Sequence, residues 1–522
     1  MPTTATTDAG TKKDDNRGGG LFRRTFKYFC FFSGSNNRSE EATAMAWALP
    51  VGWPAWAVSL FGGLSLALVV LTLVRKHCEE PEKADEKKPD DAAVATKKVN
   101  GEKEKKSDSE TSMSQRRAFH GLQRDYLVVY LIIMLADWLQ GTNMYTLYSS
   151  YGQSVSWLFL TGFSSALFFG TFAGTLVDKY GRKNACVWFC VLEVIINLME
   201  HVNDAYVLAL GRVLGGISTS LLFTAFESWM VSEHRNRGFP EEWLASTFGL
   251  AAFGNGCVAV VAGVVAQISC DLFGDIGPFR LAIALTVVAL VAILWRWPEN
   301  KMQQQKGFPD DEKDRKSFTS EAWSLVRSDG DVARLCAVTS LYEGATYTFV
   351  FLWVPTLLTF DSSLPTGLVF ACLMLCIAAG GEVFSVLVQV SSGKAPSLTA
   401  AALATACAAA IVASLACASS FAFTVAAFLT METCVGCLQA CASSLRALVV
   451  PDHLQSSVNN IGRAPLNLLV VIGTLIADKA TAANQTHLAF IAVAAEFGIA
   501  AALQFSSPLL KKTKLTAKKK DA

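Results

Sequence analysis

The chain has 522 residues, 52% of them hydrophobic and only 17% charged, with a formal net charge of +1. Such an apolar chain excludes an ordinary soluble protein, and the near-neutral balance gives no footing for a nucleic-acid partner. The charge is gathered into a few islands, and between them run stretches that meet the ~20 apolar residues a helix needs to cross a bilayer.

Residues 1–46 are polar, partly Gly-rich, and carry the basic-aromatic patch Arg23-Arg24-Thr25-Phe26-Lys27-Tyr28-Phe29, so they are expected to be disordered. A first span is expected at 47–74. It is read as a helix that stays, because it lies far from the N-terminus and no small-residue cleavage site follows it. Residues 75–123 alternate Lys, Glu and Asp with almost no large apolar side chain, the composition of a charged, disordered linker.

Twelve further apolar runs follow at about 125–149, 155–177, 184–202, 205–231, 245–268, 279–297, 334–359, 366–390, 396–417, 421–446, 459–479 and 487–509. Backbone groups in lipid must be satisfied internally and no alternating barrel pattern appears, so these runs are helices. The expected fold is an all-α polytopic membrane protein with two six-helix bundles, over 124–297 and 334–510, plus one extra N-terminal span. A charged island at 298–333 forms a cytosolic central loop, and 511–522 a basic cytosolic tail.

Orientation follows from the basic residues. Lys179, Arg182 and Lys183, then Arg235 and Arg237, the central island and the tail lie in one set of loops. The opposite loops at 149–155, 203–206, 269–279 and 361–366 hold no Lys or Arg, with Lys479 the exception nearby. The first set is cytosolic, which leaves the N-terminus outside and places the sequon Asn484-Gln485-Thr486 in an outer loop. The 14 Cys lie mostly in apolar runs. Cys434 and Cys437 have CxxC spacing but helical, apolar surroundings, so membrane-buried thiols are expected rather than a metal or cofactor site.

Between the second and third bundle spans stands Gly174-Thr175-Leu176-Val177-Asp178-Lys179-Tyr180-Gly181-Arg182-Lys183. Gly174 suits a close helix approach and Gly181 a tight turn, Asp178 can cap a helix or pair across a cytosolic gate, and Arg182 and Lys183 mark the inner face. This run resembles the G-x-L-x-D-x-x-G-R-K motif of the major facilitator superfamily. The matching loop of the second half, Ser391-Ser392-Gly393-Lys394, keeps only a trace of it. Arg212-Val213-Leu214-Gly215-Gly216 resembles the superfamily's R-x-x-x-G pattern.

An arginine within a membrane helix is costly unless partnered, so Arg212 is expected to pair with a carboxylate of a neighbouring span or to contact substrate. The superfamily resemblance implies a central cavity lined by bundle spans 1, 4, 7 and 10. At ~1.5 Å rise per residue, Asp137, Glu343 and Glu432 fall near the middle of spans 1, 7 and 10, and Glu227 near the cytosolic end of span 4. A carboxylate alone in a low-dielectric cavity favours its protonated form and can exchange a proton, while the same residues can also form fixed ion pairs. Glu193, Glu382 and Glu496 lie on helices not expected to line the cavity and read as structural. Arg463 and Arg280 are further positive charges at span ends. Asn143, Tyr145, Asn255, Tyr342 and Tyr347 are candidate polar donors or packing contacts.

Beyond the superfamily, several stretches are similar to the molybdate-anion transporter family. They are Asp137-Trp138-Leu139-Gln140, Gly181-Arg182-Lys183-Asn184, Gly211 to Trp229 with Phe226-Glu227-Ser228-Trp229, Phe239-Pro240-Glu241-Glu242-Trp243, Phe349-Val350-Phe351-Leu352-Trp353-Val354-Pro355 and Arg463-Ala464-Pro465. The resemblance covers about 125–505, densest in the first half, and one further span ahead of the twelve is also a trait of that family. It implies uptake of molybdate, a tetrahedral dianion, by a multi-pass protein of the plasma membrane. More carboxylates than arginines in the cavity favour a proton partner alongside the anion, since like charges repel where water is scarce. The residues alone leave open a proton-coupled carrier of a cationic or neutral organic solute, and a non-transporting sensor. No nucleophile–base pair or phosphate-cradling loop speaks for an enzyme.

Overall fold

The computed structural model describes residues 53–85, 102–300, 311–390, 395–451 and 454–507, so the expectations for 1–46 and 511–522 lie outside the described residues. Fourteen helices make up this part. They are α1 (Ala55–Asp85), α2 (Glu102–Ser150), α3 (Val155–Tyr180), α4 (Arg182–Met199), α5 (Ala205–Asn236), α6 (Glu241–Phe273), α7 (Gly277–Arg296), α8 (Asp311–Ser328), α9 (Gly330–Leu358), α10 (Thr366–Val390), α11 (Ala395–Ala416), α12 (Phe421–Val449), α13 (Gln455–Ala482) and α14 (Thr486–Phe505). Eleven are long and apolar enough to cross a membrane. The other two bundle helices are α3, apolar over Val155–Gly170, and α4, whose 18 residues include Arg182, Lys183 and Glu193.

The linker expectation for 75–123 needs correction. α1 continues to Asp85 and α2 begins at Glu102, with residues 86–101 between them outside the described residues. Few apolar residues suffice to hold this end of α2. Phe119 and Leu122 are buried, and the Phe119 ring meets Phe239, Trp243 and His234 at the α5–α6 connection. The central island likewise contains a helix. Ala322 of α8 is buried with Val332, Leu445 and Val458 under the cytosolic ends of α9, α12 and α13.

The two halves repeat one packing scheme. α2 packs on α6 and α7 as α9 packs on α13 and α14; α3 packs on α5 as α10 on α12; and α4 packs on α5 and α7 as α11 on α12 and α14. Lipid tails are as apolar as the helices, so association rests on close packing by small side chains. The buried Ala402, Ala406, Ala409, Ala410 and Ala413 of α11 meet Ala494, Ala500 and Ala501 of α14 in this way. Helix starts are set by caps. Asp204 accepts from the Tyr206 and Val207 N–H groups at 2.9 and 3.0 Å, and Asp329 from Asp331 and Val332 at 2.8 and 3.3 Å.

With the side of the basic loops taken as cytosolic, the contacts between halves gather at the outer ends. Gly263 of α6 and Gly367 of α10 bring two backbones together so closely that a Cβ on either would stand 2.5 Å from the other's carbonyl oxygen. On the opposite flank Ser156 of α3 donates to Asp478 of α13 at 2.6 Å. Beneath these, Phe159 and Phe163 of α3 pack on Phe351 of α9 at 4.6 and 6.2 Å, and Trp138 of α2 on Phe370 of α10 at 5.7 Å.

The extra helix α1 packs on α10. Arg75 pairs with Glu382 at 2.6 Å, Trp56 meets the Phe421 ring at 5.0 Å, and the Trp53 indole donates to Asp271 of α6 at 2.6 Å. Asp271 also accepts from Gln267 at 2.9 Å, and Gln267 in turn accepts the Gly367 N–H at 3.0 Å. α1 is thereby tied to both halves along the α6–α10 seam.

Candidate functional site

Below the outer closure, ionisable side chains from both halves are exposed. Asp137, halfway along α2, is exposed although its helix is mostly packed, and it lies within electrostatic reach of Tyr347 on α9 of the other half. It therefore faces the space between the halves. Glu227 on α5 and Tyr347, 41% exposed, also open onto water-accessible surface.

Other residues singled out from the sequence are occupied in packing. Arg212 lies 2.5 Å from Glu200, which is fully buried and accepts from the Tyr148 hydroxyl at 2.8 Å, and the guanidinium also stands over the Tyr148 ring at 5.7 Å. Asn143 donates to the Cys270 thiol at 2.8 Å and accepts from the Thr142 hydroxyl at 2.8 Å. Asn255 accepts from the Trp138 indole at 2.9 Å. Glu193 accepts from Ser218 at 2.6 Å and Gln140 at 3.0 Å, a polar knot joining α2, α4 and α5. Glu432 is buried within the C-terminal half, with one carboxylate oxygen lacking a hydrogen-bond partner. Glu496 is similar, its free oxygen facing Gly344.

The polar cleft of the second half lies toward its cytosolic end, between α9, α12 and α13, and has a cavity volume of about 70 Å³. Thr339, Glu343, Arg446, Asn459 and Arg463 line it. Both guanidinium groups act electrostatically on the Glu343 carboxylate, which receives a long 3.4 Å hydrogen bond from the Tyr342 hydroxyl. Arg463 also lies over the Phe223 ring of α5 at 5.6 Å, a contact between the halves on the cytosolic side. Sequence reading found Glu343 and Arg463. It missed Arg446, which sits in the last turn of α12 and looks like any inside-positive arginine.

The motif loop is built around Gly181, the cap between α3 and α4, at φ +100°. The Glu299 carboxylate, just past α7, accepts the Lys183 and Asn184 N–H groups at 3.3 and 3.1 Å, so it caps the positive end of α4. A Cβ at Gly181 would stand 2.7 Å from that carboxylate, which gives the glycine a second reason beyond its backbone angle. Lys183 reaches the Leu294 carbonyl at 3.3 Å. The side chains of Gly174 to Leu176 and of Asp178 lie outside the described residues.

Two repeated six-helix bundles around a water-accessible, ionisable interior define a transporter of the major facilitator class. The profile of the family described as sugar transporters with 12 TM matches residues 92–439. The chain is 31% identical over 401 residues to the molybdate-anion transporter of Takifugu rubripes, covering 70% of this chain and 81% of that one. It is 32% identical over 393 residues to that of Danio rerio, covering 69% and 79%. It belongs to the molybdate-anion transporter family of the major facilitator superfamily. In structure it is similar to the nucleoside transporter NupG, with a TM-score of 0.59 at 12% identity over 74% of this chain and 99% of that one, a likeness of fold alone.

Proposed function

We propose that this chain is a secondary active transporter of the plasma membrane that brings molybdate into the cell by alternating access, with a proton as the coupling ion. The observation that carries the mechanism is the uneven contact between the halves. They meet backbone to backbone at their outer ends, while Asp137, Glu227, Tyr347 and Arg463 are exposed below that closure. Such an arrangement is inward-facing, and the repeated packing scheme of the halves supplies its outward-facing counterpart by rocking. The substrate follows from what the relatives are named for.

Asp137 and Glu343 are the carboxylates placed to carry the proton. A neutral acid removes the repulsion that a carboxylate would exert on an incoming dianion. The loop 174–183 latches the cytosolic ends when the inner side closes, with Asp178 as its acidic member. Arg212, Asn143 and Glu432 shape the walls of the pathway from within the packing.

The test is uptake of labelled molybdate at nanomolar concentration in cells lacking their own carrier, with and without excess sulfate. Saturable uptake that sulfate does not suppress is expected. Uptake should rise as the outside pH falls, and Asp137→Asn or Glu343→Gln should flatten that rise. No uptake above the vector control, with the protein at the cell surface, would favour an organic solute. Unchanged pH dependence in both variants would remove the proton from the mechanism.

A further inference from the structure

The cleft of the second half has a lopsided hydrogen-bond inventory. An arginine carries five N–H donors and no acceptor. Among the described residues neither Arg446 nor Arg463 makes an ion pair, and neither the Thr339 hydroxyl nor the Asn459 amide makes a hydrogen bond. Against these donors the cleft offers one charged acceptor, Glu343. Two guanidinium charges facing one carboxylate leave the cleft one positive charge in excess. Donors gathered in one open cleft with so few acceptors suit a partner that is rich in acceptors, negative and small.

We propose that this cleft is the seat of a tetrahedral oxyanion, gripped by Arg446 and Arg463, with Glu343 as a built-in counter-anion that the substrate must displace or find protonated. The four oxygens of such an anion are acceptors only, matching the two forked guanidinium groups and the hydroxyl and amide beside them. Arg463 also touches Phe223 of the other half, so drawing its guanidinium onto an anion loosens a cytosolic contact between the halves. Glu343 sets the release. While ionised it competes for both arginines and limits how long the anion stays. This inference rests on the anion-transport reading above, but its test is equilibrium binding rather than flux.

The full-length protein, purified in detergent, is titrated with molybdate and separately with sulfate, and Kd is read by calorimetry and by thermal stabilisation. Wild type is expected to bind molybdate. Arg446→Gln and Arg463→Gln should each weaken binding at least about tenfold, the effect of losing charged hydrogen bonds. Glu343→Gln should bind more tightly at neutral pH and lose the tightening on acidification that wild type shows. Arg446→Lys and Asn459→Ala serve if the glutamine variants fail to fold, and partial loss is expected of both. Molybdate bound equally by wild type and all arginine variants would overturn the cleft while leaving molybdate transport standing. Sulfate bound through Arg446 without molybdate binding would keep the cleft and defeat the molybdate reading. No oxyanion bound by wild type would overturn the proposal.

Discussion

Removing Glu200 would leave the Arg212 guanidinium with neither its carboxylate nor its share of the Tyr148–Glu200 network, deep in the first half. Breaking one partner of a buried pair costs about 3–5 kcal/mol, whereas replacing both by apolar side chains costs far less. Glu200→Ala should therefore sharply lower the unfolding midpoint in detergent, and adding Arg212→Met should recover most of the loss. A midpoint unchanged by Glu200→Ala would mean the pair is solvated. Much at this scale was legible as depth but not as direction. Asp137 and Asn143 are six residues apart, about 240° around the helix at 100° per residue, so one faces the interior space while the other packs against Cys270. Depth follows from counting along a span, and direction depends on which neighbours the fold supplies. Glu200 and Glu299 escaped notice for a related reason. Each sits where a span ends, and acidic residues there read as ordinary loop charge until Arg212 and the start of α4 are seen against them.

The helices themselves were the most readable level, because length and apolarity report directly on the bilayer. The exceptions have physical causes. α4 carries three charges in 18 residues and is carried across by its neighbours α5 and α7. The start of α2 was hidden by composition, since its anchors are few, Phe119 and Leu122 with polar contacts such as Gln123 to Thr247, in a stretch otherwise rich in Lys and Glu. The Gly263–Gly367 crossing gives a test of helix motion. Gly263→Leu places a branched side chain where the α10 backbone lies, so the outer ends should fail to meet. Spin labels on the outer loops at Asn203 and Ser362 should then report a larger share of the long separation. An unchanged distance distribution would mean that the seam yields elsewhere.

The whole molecule combines a two-fold repeat with a feature that breaks it. The six-and-six division was legible from the charged island, and the packing scheme repeats faithfully between halves. Among the described helices α1 has no counterpart. It lies along the α6–α10 flank, bonded to α6 through Trp53 and Asp271 and packed on α10 with Arg75 against Glu382, while Ser156 and Asp478 meet on the far flank at α3 and α13. A solvent-exposed hydrogen bond contributes about 0.5–1.5 kcal/mol at most, a factor of about 2–13 in a population ratio. Trp53→Phe should release that much bias against outward opening, visible as a shift in the same label distances. The geometric consequence is a hinged book. With a spine sewn along one edge, the two covers, if they rock as proposed, part least beside α1 and most at the opposite edge, where entry from outside between α3 and α13 is then expected.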